Sequence, residues 1–492
     1  MTTESATQAT TTPSAAVDTP ILDGVIEGMA WLILGLAPLL INVYNVDAYR
    51  TIQATYSSIF IVILVAAWAI SVTLTGRWPE IRRMPLLLPL SAFGVWALAF
   101  LATSSSVPVS GASWVNYVLY CLLFFALADL GARRPEFLWR LAIPLFLAFS
   151  FNCITGLMQH KGFTFLAAEA AGYSGLYQWW PIKTTAAANY FAGLQAPSRL
   201  HSAAGTLGNQ NVLGGYLCAT IPFFLILPAV VVVSWRNLVD MLLKKYKQMA
   251  EGTANVLVGL LAALLGVNAL VSMAALLATD TRGAWLGVAA SLALGVAVVP
   301  AFFREQLARV SRQVWLRLGI GAVIAVVAMG GLAFTAGVTP TMIQNKIMGT
   351  WTIKQRLVAW QVAAQMANDQ PVVGQGLGTY KIYYFSYLAK VFEGKPIPAY
   401  MHHRYVQAHN DFVQLAAEMG WVGLAGGIAL LGGFWFAVPR YIWRRRPPPA
   451  EGMLLLAALL GTFGMSVFAV SGFPFHIAAS SAAWTAIAAL AG

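Results

Sequence analysis

Chemistry needs polar side chains held where water and apolar matrix meet, and three stretches of this sequence offer them. The first is Thr279-Asp280-Thr281-Arg282-Gly283-Ala284-Trp285, which plants an arginine between two apolar runs. A charge so close to hydrocarbon is costly and is more often functional than ornamental. Pairing with Asp280 or snorkelling to headgroups is the plain structural reading of Arg282. The functional reading is a fixed cation for an anionic ligand, since a guanidinium fork donates two parallel hydrogen bonds to a phosphate. The second stretch, Arg199-Leu200-His201-Ser202-Ala203-Ala204-Gly205-Thr206-Leu207-Gly208-Asn209-Gln210-Asn211, pairs an arginine with glycines that permit close backbone approach. Thr206, Asn209 and Asn211 supply hydrogen bonds as a helix begins, although a glycine turn with an Asn cap explains the same residues. The third, Tyr400-Met401-His402-His403-Arg404-Tyr405-Val406-Gln407-Ala408-His409-Asn410-Asp411, holds three of the six histidines in the chain. A metal site would need a further carboxylate or thiolate at ligand spacing. A histidine titrates near neutrality, so His409 beside arginines from other elements suits proton transfer.

These clusters must be carried by membrane helices. Only 10% of residues are charged and 59% are apolar or aromatic, whereas a soluble domain is roughly a quarter charged. The net charge of +12 falls in short Lys/Arg clusters between apolar runs, not on one basic face, so nucleic acid is not an expected partner. Cys121, Cys153 and Cys218 all lie within apolar runs without paired spacing, which argues against a disulfide framework. Apolar stretches near 25–44, 54–74, 84–102, 113–130, 137–157, 210–233, 253–278, 283–302, 317–336, 413–438, 451–472 and 474–491 predict an all-α polytopic protein of about twelve spans. Placing the amino terminus inside puts Arg77/Arg82/Arg83, Arg133/Arg134/Arg140, Arg236/Lys244/Lys245/Lys247, Arg304/Arg309/Arg312/Arg317 and Arg440/Arg444/Arg445/Arg446 inside, as the positive-inside rule requires. Residues 1–24 then read as a disordered cytoplasmic tail, and 25–336 as spans one to nine interrupted by an outer segment at 158–209. A large outer loop follows at 337–412, and the last three spans occupy 413–492.

Within that loop, residues 352–369 (TIKQRLVAWQVAAQMAND) place Ile353, Leu357, Trp360, Val362 and Ala364 on an apolar stripe, which predicts a helix lying on the outer surface. Pro371 ends it, and Gly374, Gly376 and Gly378 make a tight turn before an aromatic helix around 379–391. Glu418 and Gly420 read as a buried acid and a packing glycine inside the tenth span. Lys346, Lys354, Arg356, Lys381, Lys390, Lys395 and Arg404 make the loop basic despite its outer location, as an anionic ligand would explain.

Taken together, RLHSAAGTLGNQN, TDTRGAW, QRLVAW…PVVGQGLGTY and QAHNDFVQLAAEMGWVG resemble the O-antigen ligase family, which also embraces O-antigen and exopolysaccharide polymerases. The resemblance covers roughly residues 195–440. It implies a multi-pass protein of the bacterial inner membrane with GT-C-like architecture and its site facing the periplasm. The activity implied is an inverting, metal-independent glycosyltransferase without a cofactor, using an undecaprenyl-diphosphate-linked glycan as donor. The acceptor would be lipid A-core for a ligase or carrier-linked glycan for a polymerase; the QRLVAW…GQGLG…HND arrangement leans towards the polymerase. By the same resemblance His409 is the general base, and Arg282 and Arg199 bind the diphosphate. Arg356, Arg404, Asn209, Asn211, Tyr380 and Asn410 are further candidates for holding diphosphate or substrate. A secondary transporter shares the layout of twelve spans with both ends inside. Against it, TGRWPEIRR lacks the Asp/Arg/Gly pattern of the major facilitator group, and most spans carry no charge at mid-depth. A non-catalytic subunit that binds the lipid carrier is the third reading.

Overall fold

A computed structural model describes residues 19–40, 50–76, 87–161, 163–164, 182–183, 203–303, 351–398, 401 and 405–489. The helices within these residues are α1 (Pro20–Trp31), α2 (Arg50–Thr75), α3 (Leu87–Ala99), α4 (Val107–Arg133), α5 (Pro135–His160), α6 (Gln210–Val233), α7 (Trp235–Lys245), α8 (Glu251–Ala278), α9 (Arg282–Phe302), α10 (Trp351–Asp369), α11 (Tyr380–Val391), α12 (Asp411–Arg445), α13 (Pro449–Ala469) and α14 (Ala478–Ala489). A two-residue antiparallel ladder, Phe163–Thr164 with Ile182–Lys183, is the sole sheet among the described residues. The protein is an all-α polytopic membrane protein: nine helices among the described residues are long and apolar enough to cross a bilayer.

The span expected at 317–336 lies outside the described residues. The one expected at 474–491 is a 3-10 turn, Pro474–His476, followed by the 12-residue α14. At 1.5 Å per residue α14 rises roughly 18 Å, short of the ~30 Å hydrocarbon thickness. Pro474 and the turn it starts take up the residues that would have lengthened it. The basic segment Arg236–Lys245, expected only as a loop, is α7, anchored where Trp235 Nε1 donates to Asn255 Oδ1 at 2.7 Å.

Two ends of the bundle are distinguished by their polar ties. At one end Arg133 bonds Asp129 (3.1 Å) and Asp23 (3.5 Å), Arg134 bonds Asp23 (2.9 Å) and Arg140 bonds Glu27 (3.3 Å). At the other end, α1 has run on through a π-turn to a 3-10 turn at Ala37–Leu39. There Gln53 Nε2 donates to the carbonyls of Pro38 (3.2 Å) and Thr206 (2.9 Å). The stretch Pro20–Leu39, 20 residues long, therefore spans from the first end to the second. Between them α6 and α13 are the most enclosed helices, while Leu260, Leu286 and Val296 point outward from α8 and α9. With no water in the bilayer core, such side chains meet lipid.

Helix α10 covers the predicted stretch, but its buried face is Ala359, Val362, Ala363, Met366 and Ala367, at helical spacing. Of the expected apolar stripe, Val362 is buried, while Ile353 and Leu357 are exposed. The reason is a second small core that selects the other side of the helix. Val362, Ala363 and Met366 pack there with Tyr380, Tyr384, Tyr387 and Leu388 of α11 and Ala417 of α12.

The tenth span also differs from expectation. Gly420 has φ 69° and ψ 178°, a region open to glycine alone, and it breaks α12 after Met419. The backbone groups freed by the break are taken up by the glycine turn. Gln375 N–H donates to Ala417 O (3.0 Å), Gly376 N–H to Glu418 O (2.9 Å), and Trp421 N–H to Pro371 O (2.8 Å). Gly374, Gly376 and Gly378 all have positive φ, as the predicted turn required. Glu418 is thus a cap for α11, its carboxylate accepting from Gly378 N (2.7 Å) and Tyr380 N (3.3 Å).

Candidate active site

The segment joining α8 to α9 is a tight corner. Asp280 takes a left-handed conformation (φ 55°), Thr281 precedes the helix, and Arg282 is its first residue. Trp285 Nε1 donates to Leu276 O at 2.8 Å and staples the two helices, so Arg282 stands at a fixed point at the helix start. Gly214 of α6 lets α9 come close: a Cβ there would collide with Ala284.

His409 lies just before α12. Its backbone is left-handed (φ 56°), unusual for a residue other than glycine and a mark of a conformation the surroundings impose. Trp360 Nε1 of α10 donates to its carbonyl at 3.4 Å. Tyr405 and Phe473 set their rings edge-on to the imidazole, with centroids at 5.9 and 4.9 Å. Nδ1 is buried and has no hydrogen-bond partner among the described residues. Burial, then the charge of Arg356, then that of Arg50 push the pKa of His409 down to about 3. The imidazole is therefore neutral at physiological pH.

Two guanidinium groups, those of Arg356 and Arg50, bear on it electrostatically. Burial first, and then the like charge of Arg282, lower the pKa of Arg356. Arg50, Arg282 and Arg356, from the starts of α2 and α9 and from the first turns of α10, thus act on one another or on His409. Arg50 escaped the sequence reading. Its only signal was a charge at the edge of a short outer loop, three residues before Gln53.

The glycine turn before α6 is held from within. Gln159 Oε1 accepts from Ala204 N (2.9 Å) and Gly205 N (2.8 Å), and Asn152 Oδ1 accepts from Thr206 N and Thr206 Oγ1 (both 2.9 Å). Gly205 (φ 59°) admits Asn152, where any Cβ would collide, so its close approach is to α5. Arg199, His201, His402, His403 and Arg404 lie outside the described residues.

Three of the remaining candidates have structural roles. Asn209 caps α6, its Oδ1 accepting from Asn211 N at 2.8 Å, and Asn211 is the second residue of that helix. Asn410 caps α12 through Phe412 N (3.0 Å) and Val413 N (3.1 Å). Tyr380 is fully buried and its hydroxyl donates to Ala359 O at 3.2 Å, so it is a core residue and does not face a substrate.

A carboxylate–imidazole pair stands beside the cluster. Asp411 Oδ1 bonds His476 Nδ1 at 2.5 Å and Asp411 Oδ2 accepts from Phe475 N at 3.1 Å. Burial opposes a proton on His476, but the carboxylate of Asp411, aided by that of Glu418, outweighs it and raises the pKa to about 9. Gln414 Nε2 pulls the other way at 3.3 Å, since an amide NH2 donates only to a bare Nε2. The amide contact favours the neutral ring with its proton on Nδ1, whereas the two carboxylates favour the imidazolium. His476 had been assigned to the start of the last span.

Residues 267–428 match a family model described as O-antigen ligase. Over those residues the chain is similar to the O-antigen ligase family. The matched segment covers about a third of the chain and contains Arg282, Arg356, His409, Asp411, Gln414 and Glu418, while Arg50 and His476 lie on either side of it. That likeness implies a membrane-embedded enzyme of glycan transfer. No curated protein matches the chain. No group of three or more His, Cys, Asp or Glu side chains that could hold a metal ion occurs among the described residues. What the O-antigen ligase segment does gather is positive charge around a neutral histidine.

Proposed function

We propose that the protein transfers a glycan from a polyprenyl-diphosphate carrier to an acceptor hydroxyl at the periplasmic face of a bacterial inner membrane. The observation that carries this reading is the gathering of Arg50, Arg282 and Arg356 about His409 at one end of the bundle. Like charges held together at a membrane surface favour an anion between them, and a diphosphate meets several guanidinium forks at once. Orientation is supported by the opposite end, where Arg133, Arg134 and Arg140 cluster as cytoplasmic residues do.

In the proposed step the acceptor oxygen attacks the anomeric carbon while its proton passes to His409. The bond from that carbon to the diphosphate breaks, and the electron pair leaves with the carrier diphosphate. Arg282 and Arg356 stabilise the charge that develops there, with Arg50 and Arg199 as further cations. A single displacement from the far side inverts the anomeric centre. Bound diphosphate would also offset the positive charges that oppose an imidazolium, so His409 becomes a stronger base when the donor is in place. The outward apolar faces of α8 and α9 suit a polyprenyl tail entering sideways from lipid.

Transfer from a carrier-linked glycan in proteoliposomes, compared among wild type, His409→Ala and Arg282→Ala, tests the reading. Both variants should lose at least about 100-fold in rate, and full transfer by both would sink the proposal. Lipopolysaccharide gels of a deletion strain separate the two acceptors: loss of all attached O-chain marks a ligase, and a cap of one repeat marks a polymerase.

A further inference from the structure

The segment between α13 and α14 touches both halves of the site. Ser471 and Phe468 press against Gly283, the neighbour of Arg282, where any Cβ would collide with them. Phe473 packs edge-on to the His409 ring, and three residues later His476 pairs with Asp411. Between His476 and His409 stands Gln414. Its Oε1 accepts from Ala408 N, the residue before His409, at 2.9 Å, and its Nε2 donates to Glu418 Oε1 at 3.1 Å while facing His476 Nε2. The amide orientation follows from its partners: Ala408 N–H needs an acceptor and the Glu418 carboxylate needs a donor.

His409 needs such support. Its left-handed backbone costs free energy and persists only where neighbours hold it. Asn410, on its other side, is fixed as the cap of α12, so with Ala408 tied to Gln414 both flanking residues are pinned.

We infer that His476 is a positioning residue for His409: paired with Asp411, it holds Gln414 against Ala408 and so fixes the turn that aims the His409 imidazole. This rests on His409 acting as the base, and it adds a residue outside the O-antigen ligase segment to the machinery. The charged and titratable groups facing His476 are Asp411 and Glu418, both from α12.

The test uses the full chain in nanodiscs with a carrier-linked glycan. His476→Ala and Gln414→Leu should lower kcat about 10- to 100-fold, the scale of a misplaced catalytic group, while KM for the donor stays within about twofold. His476→Asn, which can still donate to Asp411, should recover most of the rate. An activity-free readout is the imidazole 15N signal of His409, assigned by its loss in His409→Gln; it should move in donor-free His476→Ala. Wild-type kcat in both variants with an unmoved His409 signal overturns the inference. So does a rise in KM at constant kcat, which would make the segment a substrate contact. If His476→Ala fails to fold, the same comparison is read in Gln414→Leu, where wild-type kcat with an unmoved His409 signal overturns it. Full transfer by His409→Ala removes the base reading alone, since a displaced His409 signal in His476→Ala still reports the positioning.

Discussion

Replacing Arg356 by glutamine should make His409 easier to protonate, by an amount the site itself bounds. The pKa of His409 is depressed from 6.5 to about 3. At 1.36 kcal/mol per pH unit that gap is about 5 kcal/mol against the imidazolium. Burial is the largest cause and Arg356 the second, ahead of Arg50. A second-ranked cause accounts for at most half of the whole, roughly 2 kcal/mol, so Arg356→Gln should lift the pKa no higher than about 5. Imidazole 15N shifts in histidine-labelled protein between pH 4 and 8 report this directly. Wild-type His409 should show no inflection in that range, and Arg356→Gln should bring one in at the acid edge. Saturating inorganic pyrophosphate should raise it in the wild type, because the anion offsets the same charges. The sign for stability follows from linkage. A histidine whose folded pKa lies below its unfolded value binds fewer protons when folded, so stability falls as pH drops from 6.5 towards 3. Arg356→Gln narrows that window and should soften the acid loss. A wild-type His409 titrating near 6.5 would refute the reasoning, for it would mean that neither burial nor the guanidinium charges bear on the ring.

Two further predictions concern the parts that hold the site. Gly420→Ala puts a Cβ into a backbone region open to glycine alone and against the Val372 carbonyl. It should cost about 1–3 kcal/mol and lower the thermal unfolding midpoint in detergent, with transfer falling in step. Tyr380→Phe removes only the bond to Ala359 O. Its cost should be about 1 kcal/mol with donor KM unchanged, whereas a rise in KM would return Tyr380 to the substrate site.

Much of this arrangement is legible in the sequence because its signals are local. Long apolar runs divided by basic clusters give the spans, TDTRGAW exposes Arg282 by contrast with its surroundings, and three spaced glycines announce the turn that the backbone confirms at 374–378. The failures all involve tertiary partners. The periodicity of 352–369 specifies a helix but is compatible with more than one buried face, and the choice was made by Tyr384, Leu388 and Ala417 from later segments. Gly420 sits inside the mainly apolar stretch 413–438, so its break is invisible until Pro371 and Gln375 are seen to pair with the freed backbone. Arg50 and His476 were missed for the same reason. The Asp411–His476 bond joins residues 65 apart in sequence, and no pattern around a single histidine names the carboxylate that will meet it. Tyr380 and Asn410 show the converse case, where residue types suited to sugar binding also serve packing and capping.

The pairing of the glycine turn with the broken start of α12 also decides how this protein can be recombined. Residues 351–398 look like a loop that could be exchanged on its own. Their small core, however, includes Met401, Ala408 and Ala417, and their turn completes the backbone of 417–421. The unit of exchange is therefore 351–421, cut within the membrane helix at the glycine, and it carries His409 with it. A chimera joined at 398 would bring a foreign turn to an interrupted helix and leave amides and carbonyls unmatched at the membrane surface. The loop and the proposed base are inherited together.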